Sequence, residues 1–307
     1  MIIPAKKSLI FFGAGASFGC SSLNDTPPLT KNLFNELKTF NSTIWNQIPK
    51  ELEAFFISDF EKGMSFLFSS KPTLLPILQR SMASYFFKFI PGENNLYRKL
   101  AQKIQKNNQQ VQIATINYDR LLIESLLDEG ITIKIGKEKD NSNRLKLILP
   151  HGCCNLFNKN IKGLAKYISI DGLRVKTNVI DSPVIIRDST DFYTKISTDP
   201  FPPIMSYIEP TKNTLSGGNF LTTQREIYKK AVMDSELICI IGVSIRQRDR
   251  HIWQPLQKTS AELVYCSGKD GSEFEKWIKS VRKHKKYTIL NGFFIDYFDE
   301  ICKLLEL

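Results

Sequence analysis

Short apolar runs, rich in β-branched and aromatic residues, punctuate this chain at wide intervals. Ser8-Leu9-Ile10-Phe11-Phe12 is the first; Gln112 to Ile116, Leu145 to Leu149, Leu237 to Ile241, Glu262 to Cys266 and Tyr287 to Leu290 follow. Runs this short, with almost no polar alternation, predict strands buried on both faces, as in a parallel sheet. Helical patterns separate several of them, over Tyr118 to Glu129, Gln224 to Ser235, Phe274 to Lys283 and Phe294 to Leu307. Strand–helix alternation of this kind predicts an α/β fold, Rossmann-like and doubly wound around a mainly parallel sheet.

Between the first two predicted strands lie roughly ninety residues, far more than one βα connection needs. Leu74, Leu75, Leu78, Met82, Phe86 and Phe89 keep helical spacing there, as do Leu33, Phe34 and Leu37, while Phe55, Phe56 and Phe60 form another apolar patch. The pattern predicts a helical insertion over residues 24–110, a small second lobe within a single 1–307 domain, with the aromatics as its core. Residues 155–223 carry no clear period; Pro200, Pro202, Pro203 and Gly217-Gly218 mark loops there.

With 307 residues, 42% of them hydrophobic, the chain has material for a large core, which excludes a disordered or collagen-like protein. No stretch approaches the ~18 uninterrupted apolar residues of a membrane span. Lys6-Lys7, the short run Ser8 to Phe12 and Ala14-Gly15-Ala16 imitate a secretion signal, but the apolar part is too short for one. A soluble, cytoplasmic protein is expected. Its net charge of +11 suits an acidic partner, a nucleotide or a nucleic acid, although the basic residues are scattered. The densest group, Lys276 to Lys286, reads first as a solvated helix face, so direct nucleic-acid binding is not the favoured reading. The six cysteines lack paired Cys-x-x-Cys spacing, which predicts free thiols and no zinc.

Chemistry-bearing residues gather where the predicted strands end. Gly13-Ala14-Gly15-Ala16-Ser17 follows the first strand, where glycines let backbone amides approach a pyrophosphate. A dinucleotide fingerprint would place a third glycine at position 18, and Phe18 stands there instead. Thr115-Ile116-Asn117-Tyr118-Asp119 closes the second strand: an amide there positions a water or a ribose hydroxyl, and either polar side chain also serves as a helix N-cap. His151-Gly152 follows the third strand. Of the three histidines, His151 is the one placed to act as a base; His251, after the charged run Arg246 to Arg250, reads as part of a solvated loop or helix start, and His284 as surface. Gly242-Val243-Ser244 ends the most apolar strand, where glycine and a small hydroxyl suit a ribose or phosphate.

In this order, Gly-Ala-Gly-Ala-Ser, Thr-x-Asn-Tyr-Asp, His-Gly and Gly-x-Ser resemble the sirtuin superfamily, and more closely its NAD-hydrolysing members from bacterial antiphage defence. The resemblance spans Leu9 to the end of the chain. It implies that Gly13, Ala14, Gly15, Ala16 and Ser17 bind the NAD pyrophosphate and adjacent ribose, with Thr115 beside them. Asn117 would lie near the nicotinamide ribose, Asp119 near the carboxamide, and Gly242 and Ser244 on the adenosine side. Asn117 and His151 would be catalytic. The protein deacylases of the superfamily carry a four-cysteine zinc module and a Gly-Ile-Pro-Asp-Phe-Arg segment; this chain has neither, Thr26-Pro27-Pro28-Leu29-Thr30 stands in the latter's place, and Ile116 replaces their glutamine. These departures favour water over an acyl-lysine as acceptor. The expected activity is hydrolysis of NAD, its substrate, to nicotinamide and ADP-ribose without a metal. The expected regulation is self-association or a separate sensor protein. The alternatives are a non-catalytic NAD or ADP-ribose binding module, a deacylase or ADP-ribosyltransferase, and last a hydrolase pairing Cys153 or Cys154 with His151.

Overall fold

The apolar runs of the sequence meet side by side in one sheet. A computed structural model describes residues 7–21, 26–29, 32–107, 111–136, 144–159, 169–171, 174–176, 182–206, 214–282 and 286–307. Strand β1 (Ser8–Phe12) leads through a 3-10 turn over Ala14–Ser17 to a run of helices: α1 (Leu33–Phe40), α2 (Ser42–Trp45), α3 (Lys50–Ser58), α4 (Phe60–Ser70), α5 (Leu75–Phe87) and α6 (Leu96–Asn107). The chain continues through β2 (Val111–Thr115), α7 (Leu121–Asp128), β3 (Ile133–Lys134) and β4 (Leu145–Ile148). Short strands β5 (Leu156–Asn158), β6 (Ser169–Asp171), β7 (Arg174–Lys176) and β8 (Pro183–Ile185) precede α8 (Ser189–Thr198) and α9 (Gly218–Asp234). The last third alternates strictly: β9 (Leu237–Ile241), α10 (Arg250–Lys258), β10 (Glu262–Cys266), α11 (Ser272–Val281), β11 (Tyr287–Leu290) and α12 (Phe298–Leu304).

Seven strands form the main sheet in the order β11-β10-β9-β1-β2-β4-β3, every pairing parallel. The order in which strands are added reverses about β1, which has β2 on one side and β9 on the other. The doubly wound α/β fold read from the sequence is therefore the observed one. β1 is buried along its whole length because it feeds two cores. Ile10 and Phe12 face a large cluster that includes Tyr97 of α6, Leu122 of α7 and Ile301 of α12. Leu9 and Phe11 face a second cluster with Tyr228, Trp253 and Trp277 of α9, α10 and α11. The aromatic residues of the helical segment, Phe34, Trp45, Phe56 and Phe60, join the first cluster, and the Trp45 indole N–H donates to Ser81 Oγ at 3.0 Å.

Several boundaries differ from the sequence pattern for local reasons. α9 begins at Gly218, ahead of Gln224, because Gly217 takes the left-handed conformation that launches the helix and Phe220 and Leu221 are buried in its first turns. The pattern from Phe294 becomes helical only at Phe298, since the Asp296 carboxylate accepts the Phe293 N–H at 2.8 Å and closes a turn first. β3 and α10 had no clear signature. The basic stretch Lys276 to Lys286 is helical up to Val281; His284 lies outside the described residues. All six cysteines are buried and outside any disulfide, and no helix among the described residues is long and apolar enough to cross a membrane.

Candidate active site at the strand ends

The turn after β1 and the turn after β9 are built against each other. Gly13 N donates to Ile241 O at 2.9 Å and Gly15 N to Gly242 O at 3.0 Å. Gly242 has φ +65°, and a Cβ there would lie 2.1 Å from Ala16 N; a Cβ on Gly13 would lie 2.5 Å from Gly242 O. Glycine is thus required at both positions by backbone-on-backbone contact at the point where the sheet reverses, where open α/β sheets form their ligand crevice. Ala14 and Gly15 stay partly exposed at this edge while Ala16 and Ser17 are buried, and Ser244 is exposed on the opposing loop.

Beneath the glycine turn lies a closed polar network. Thr115 Oγ1 accepts the Asn117 N–H at 3.1 Å, turning the chain as it leaves β2. Asn117 Nδ2 then donates to Gly13 O and to Ser17 Oγ, each at 3.0 Å. Ser17 Oγ donates to Asp119 Oδ2 at 3.0 Å and lies 3.1 Å from the Tyr97 hydroxyl. Asp119 Oδ1 accepts the Leu121 N–H at 3.0 Å, so this carboxyl both caps the entry to α7 and holds Ser17. Burial raises the Asp119 carboxyl to about 6 and pushes Tyr97 well above its ordinary value. Asn117 Oδ1 is buried and has no hydrogen-bond donor among the described residues. The amide is fixed through its nitrogen and presents an acceptor with nothing to accept from.

His151, 3% exposed, sits just past β4 and is clamped from two sides. Ser206 N donates to His151 O at 2.9 Å, and the Tyr118 hydroxyl donates to Ser206 O at 2.8 Å. Arg225 of α9 donates to Ser206 Oγ at 2.8 Å and to Pro150 O at 3.4 Å; burial draws this guanidinium below its ordinary value. Gly152, at φ +76°, faces Ile204 O, which a Cβ would approach to 2.0 Å. His251 does lie at a helix start, as the second residue of α10, but its expected solvation is corrected: it is half-buried, with its Nε2 2.8 Å from His151 Nε2. Its signal was invisible in sequence because one hundred residues separate the partners. The loop between β9 and α10 is also tied to the helical segment, Arg246 to Glu61 at 3.5 Å and Arg248 to Asp59 at 2.6 Å.

Cys153 and Cys154 lie behind this histidine. The Cys153 thiol donates toward Asn155 Oδ1 at 3.1 Å, and burial pushes the Cys154 thiol well above its ordinary value. Burial keeps Cys154 a thiol, and the printed partners of Cys153 Sγ are Asn155 Oδ1 and the Tyr118 and Asp119 carbonyls, none of them a base, so the cysteine-hydrolase alternative has no support in the geometry. Among the described residues no three His, Cys, Asp or Glu side chains are grouped to hold a metal ion.

No family model matches the chain, and no curated protein matches it. Solved structures do. One is a serine-to-alanine variant of a Sir2 homologue in complex with ADP-ribose, matched with a TM-score of 0.50 and 11% identity over 98% of this chain and 92% of that one. Another is a phenylalanine-to-alanine variant of a Sir2 homologue, also with ADP-ribose, at a TM-score of 0.50 and 12% identity over the same shares. At these identities the likeness shows the fold: a sirtuin-like variant of the Rossmann arrangement.

Proposed function

We propose that this chain is an NAD glycohydrolase, which cleaves the nicotinamide–ribose bond and adds water to the ribose C1, releasing nicotinamide, ADP-ribose and one proton. The observation that carries the reading is Asn117: its Nδ2 is pinned by Gly13 and Ser17, and its buried Oδ1 is left without a donor at the crevice. A buried acceptor of this kind is costly unless a ligand or water supplies the missing donor. A ribose hydroxyl or the attacking water fits that need, and the same oxygen dipole favours the positive charge that develops at C1 as the bond breaks. His151, buried beside the strand ends, serves as the base for the proton that water releases. The glycine turn and Ser244 would hold the phosphates and the adenosine half, and the sirtuin-like fold, whose solved examples include ADP-ribose complexes, supports a dinucleotide of this type.

Water as acceptor is favoured by what the sequence lacks, the four-cysteine zinc module and the Gly-Ile-Pro-Asp-Phe-Arg segment of the deacylases. The biological setting we propose is bacterial antiphage defence, where the enzyme depletes NAD once self-association or a sensor protein switches it on. Purified protein incubated with NAD, with and without an acetyl-lysine peptide, tests the reaction. Nicotinamide and ADP-ribose in equal amounts, unaffected by the peptide, are expected. Peptide-dependent release of an acetylated ADP-ribose would overturn the assignment.

A further inference from the structure

Two imidazoles meet in this molecule. His151, at the end of β4, and His251, in the first turn of α10, approach with Nε2 to Nε2 at 2.8 Å and ring centroids 5.0 Å apart. At that distance the two nitrogens have room for one proton. With none, two lone pairs face each other; with two, two N–H groups collide. One ring must therefore donate and the other accept, and the pair takes up charge as a unit. Which nitrogen of a histidine carries its proton is set by the bonds the ring makes, so each ring fixes the tautomer of the other.

We propose that His251 is the positioning partner of His151: it locks the tautomer and orientation of the buried ring and shares the positive charge when that ring accepts a proton. The kinetic part of this inference rests on the hydrolase reading; the pairing rests on geometry alone. His151 is 3% exposed, and an imidazolium formed there has little water to stabilise it. The half-buried His251 supplies a neutral acceptor for its N–H, a charge-assisted bond that strengthens as the proton arrives. Among the described residues, the groups near the pair include the Tyr118 phenol, whose ring stacks 6.5 Å from His151, and the Arg225 guanidinium beside Pro150. On the α10 side, Asp249 acts on Arg225, and its sequence neighbours are the cations Arg248, which pairs with Asp59, and Arg250. With the Arg225 cation already beside Pro150, a neutral imidazole is a better partner for a protonated His151 than a further cationic side chain would be.

His251 is held in place independently of the histidine bond. It rides on a helix whose Ile252, Trp253 and Leu256 are buried in the second core, and its incoming loop is tied to Asp59 and Glu61. Removing the imidazole should therefore leave the fold standing.

The test uses the full chain in two readouts. The first needs no substrate. With only three histidines, His151, His251 and His284, long-range proton–nitrogen NMR of ring-labelled protein resolves each titration. In the wild type the His151 and His251 signals should move together over two linked steps. In His251→Gln, which keeps a hydrogen-bonding amide but carries no charge, His151 should titrate alone with a displaced midpoint. The second readout is NAD hydrolysis. His251→Ala should lower kcat about 10- to 100-fold, part of what a general base contributes. KM should stay within about twofold, and millimolar imidazole should restore several-fold of the lost rate, while the Gln variant, with that space filled, should not respond. His151 signals identical in wild type and Gln variant, or an Ala variant with unchanged kcat, overturns the proposal. If the wild type hydrolyses no NAD while the two rings still titrate together, the hydrolase reading falls and the pairing stands.

Discussion

Replacing Asp119 with asparagine isolates the electrostatic strain beneath the glycine turn. The carboxyl is buried, accepts from Ser17 Oγ and Leu121 N, and has its pKa raised from 3.8 to about 6 because burial outweighs those two bonds. A raised acid binds its proton more tightly in the folded state, so between pH 4 and pH 6 the native protein holds more protons than the unfolded chain. Stability attributable to this group therefore falls as pH rises through that window, and is flat above it. At 1.36 kcal/mol per pH unit, the rise from 3.8 to about 6 makes the full penalty about 3 kcal/mol. About 0.5 kcal/mol of it is already present at pH 4, leaving about 2.5 kcal/mol to appear between pH 4 and pH 7.5. Asparagine is neutral throughout. Its Oδ1 keeps the Leu121 bond, and its Nδ2 reaches Ser17 Oγ, whose own proton then turns to the Tyr97 hydroxyl. Urea unfolding of both proteins at several pH values measures the difference, and taking wild type against variant cancels every other titrating group. The variant should gain about 2.5 kcal/mol on the wild type as pH rises from 4 to 7.5. A difference that stays constant across that range refutes the assignment of a destabilised carboxylate to Asp119.

Gly242→Ala should cost at least about 2 kcal/mol, since the left-handed backbone and the collision with Ala16 N act together, whereas Gly218→Ala, in open space, should stay within about 0.5 kcal/mol; thermal unfolding compares them. Elemental analysis of the purified protein should find no stoichiometric zinc, and a chelator should leave its melting temperature unmoved; one tightly held zinc per chain would reopen the deacylase reading. Hydrolysis should be weak in dilute monomer and rise on self-association or with a partner, followed by size-exclusion chromatography coupled to an NAD assay; full activity in a monomeric sample would remove the proposed switch.

The sheet was legible because its strands are short and apolar on both faces. Ser8–Phe12, Leu237–Ile241, Glu262–Cys266 and Tyr287–Leu290 coincide with the sequence pattern residue for residue, and the second strand is displaced by one. What stayed hidden depends on tertiary contact. β5 and β8 are three residues each and acquire strand character only by pairing with one another. α10 follows a run of charges, and its apolar stripe of Ile252, Trp253 and Leu256 carries Pro255 within it, so no period announces it. The same holds at the site. Gly13, Asn117 and Gly242 stand out by residue type and strand-end position, but the bonds from Asn117 to Gly13 and from Gly15 to Gly242 reach across one hundred residues or more. Asp119 is legible as a residue that takes a free helix amide, and its Oδ1 does accept the Leu121 N–H, although Arg120 holds the N-cap position of α7; that its second oxygen holds Ser17 appears only once β1 and β2 lie side by side. His251 was set aside on the charges around it, and the fold turns it inward to His151.

The central claim is that Asn117 and His151 work on NAD at the strand ends. Its most direct measurement is time-resolved chromatography of NAD incubated, under activating conditions, with wild type, Asn117→Ala and His151→Ala, each verified as folded by circular dichroism. Nicotinamide and ADP-ribose are expected from the wild type, with each variant slowed by at least about 100-fold. Folded variants that consume NAD at the wild-type rate, or a wild type that leaves NAD intact under every activating condition, would contradict it.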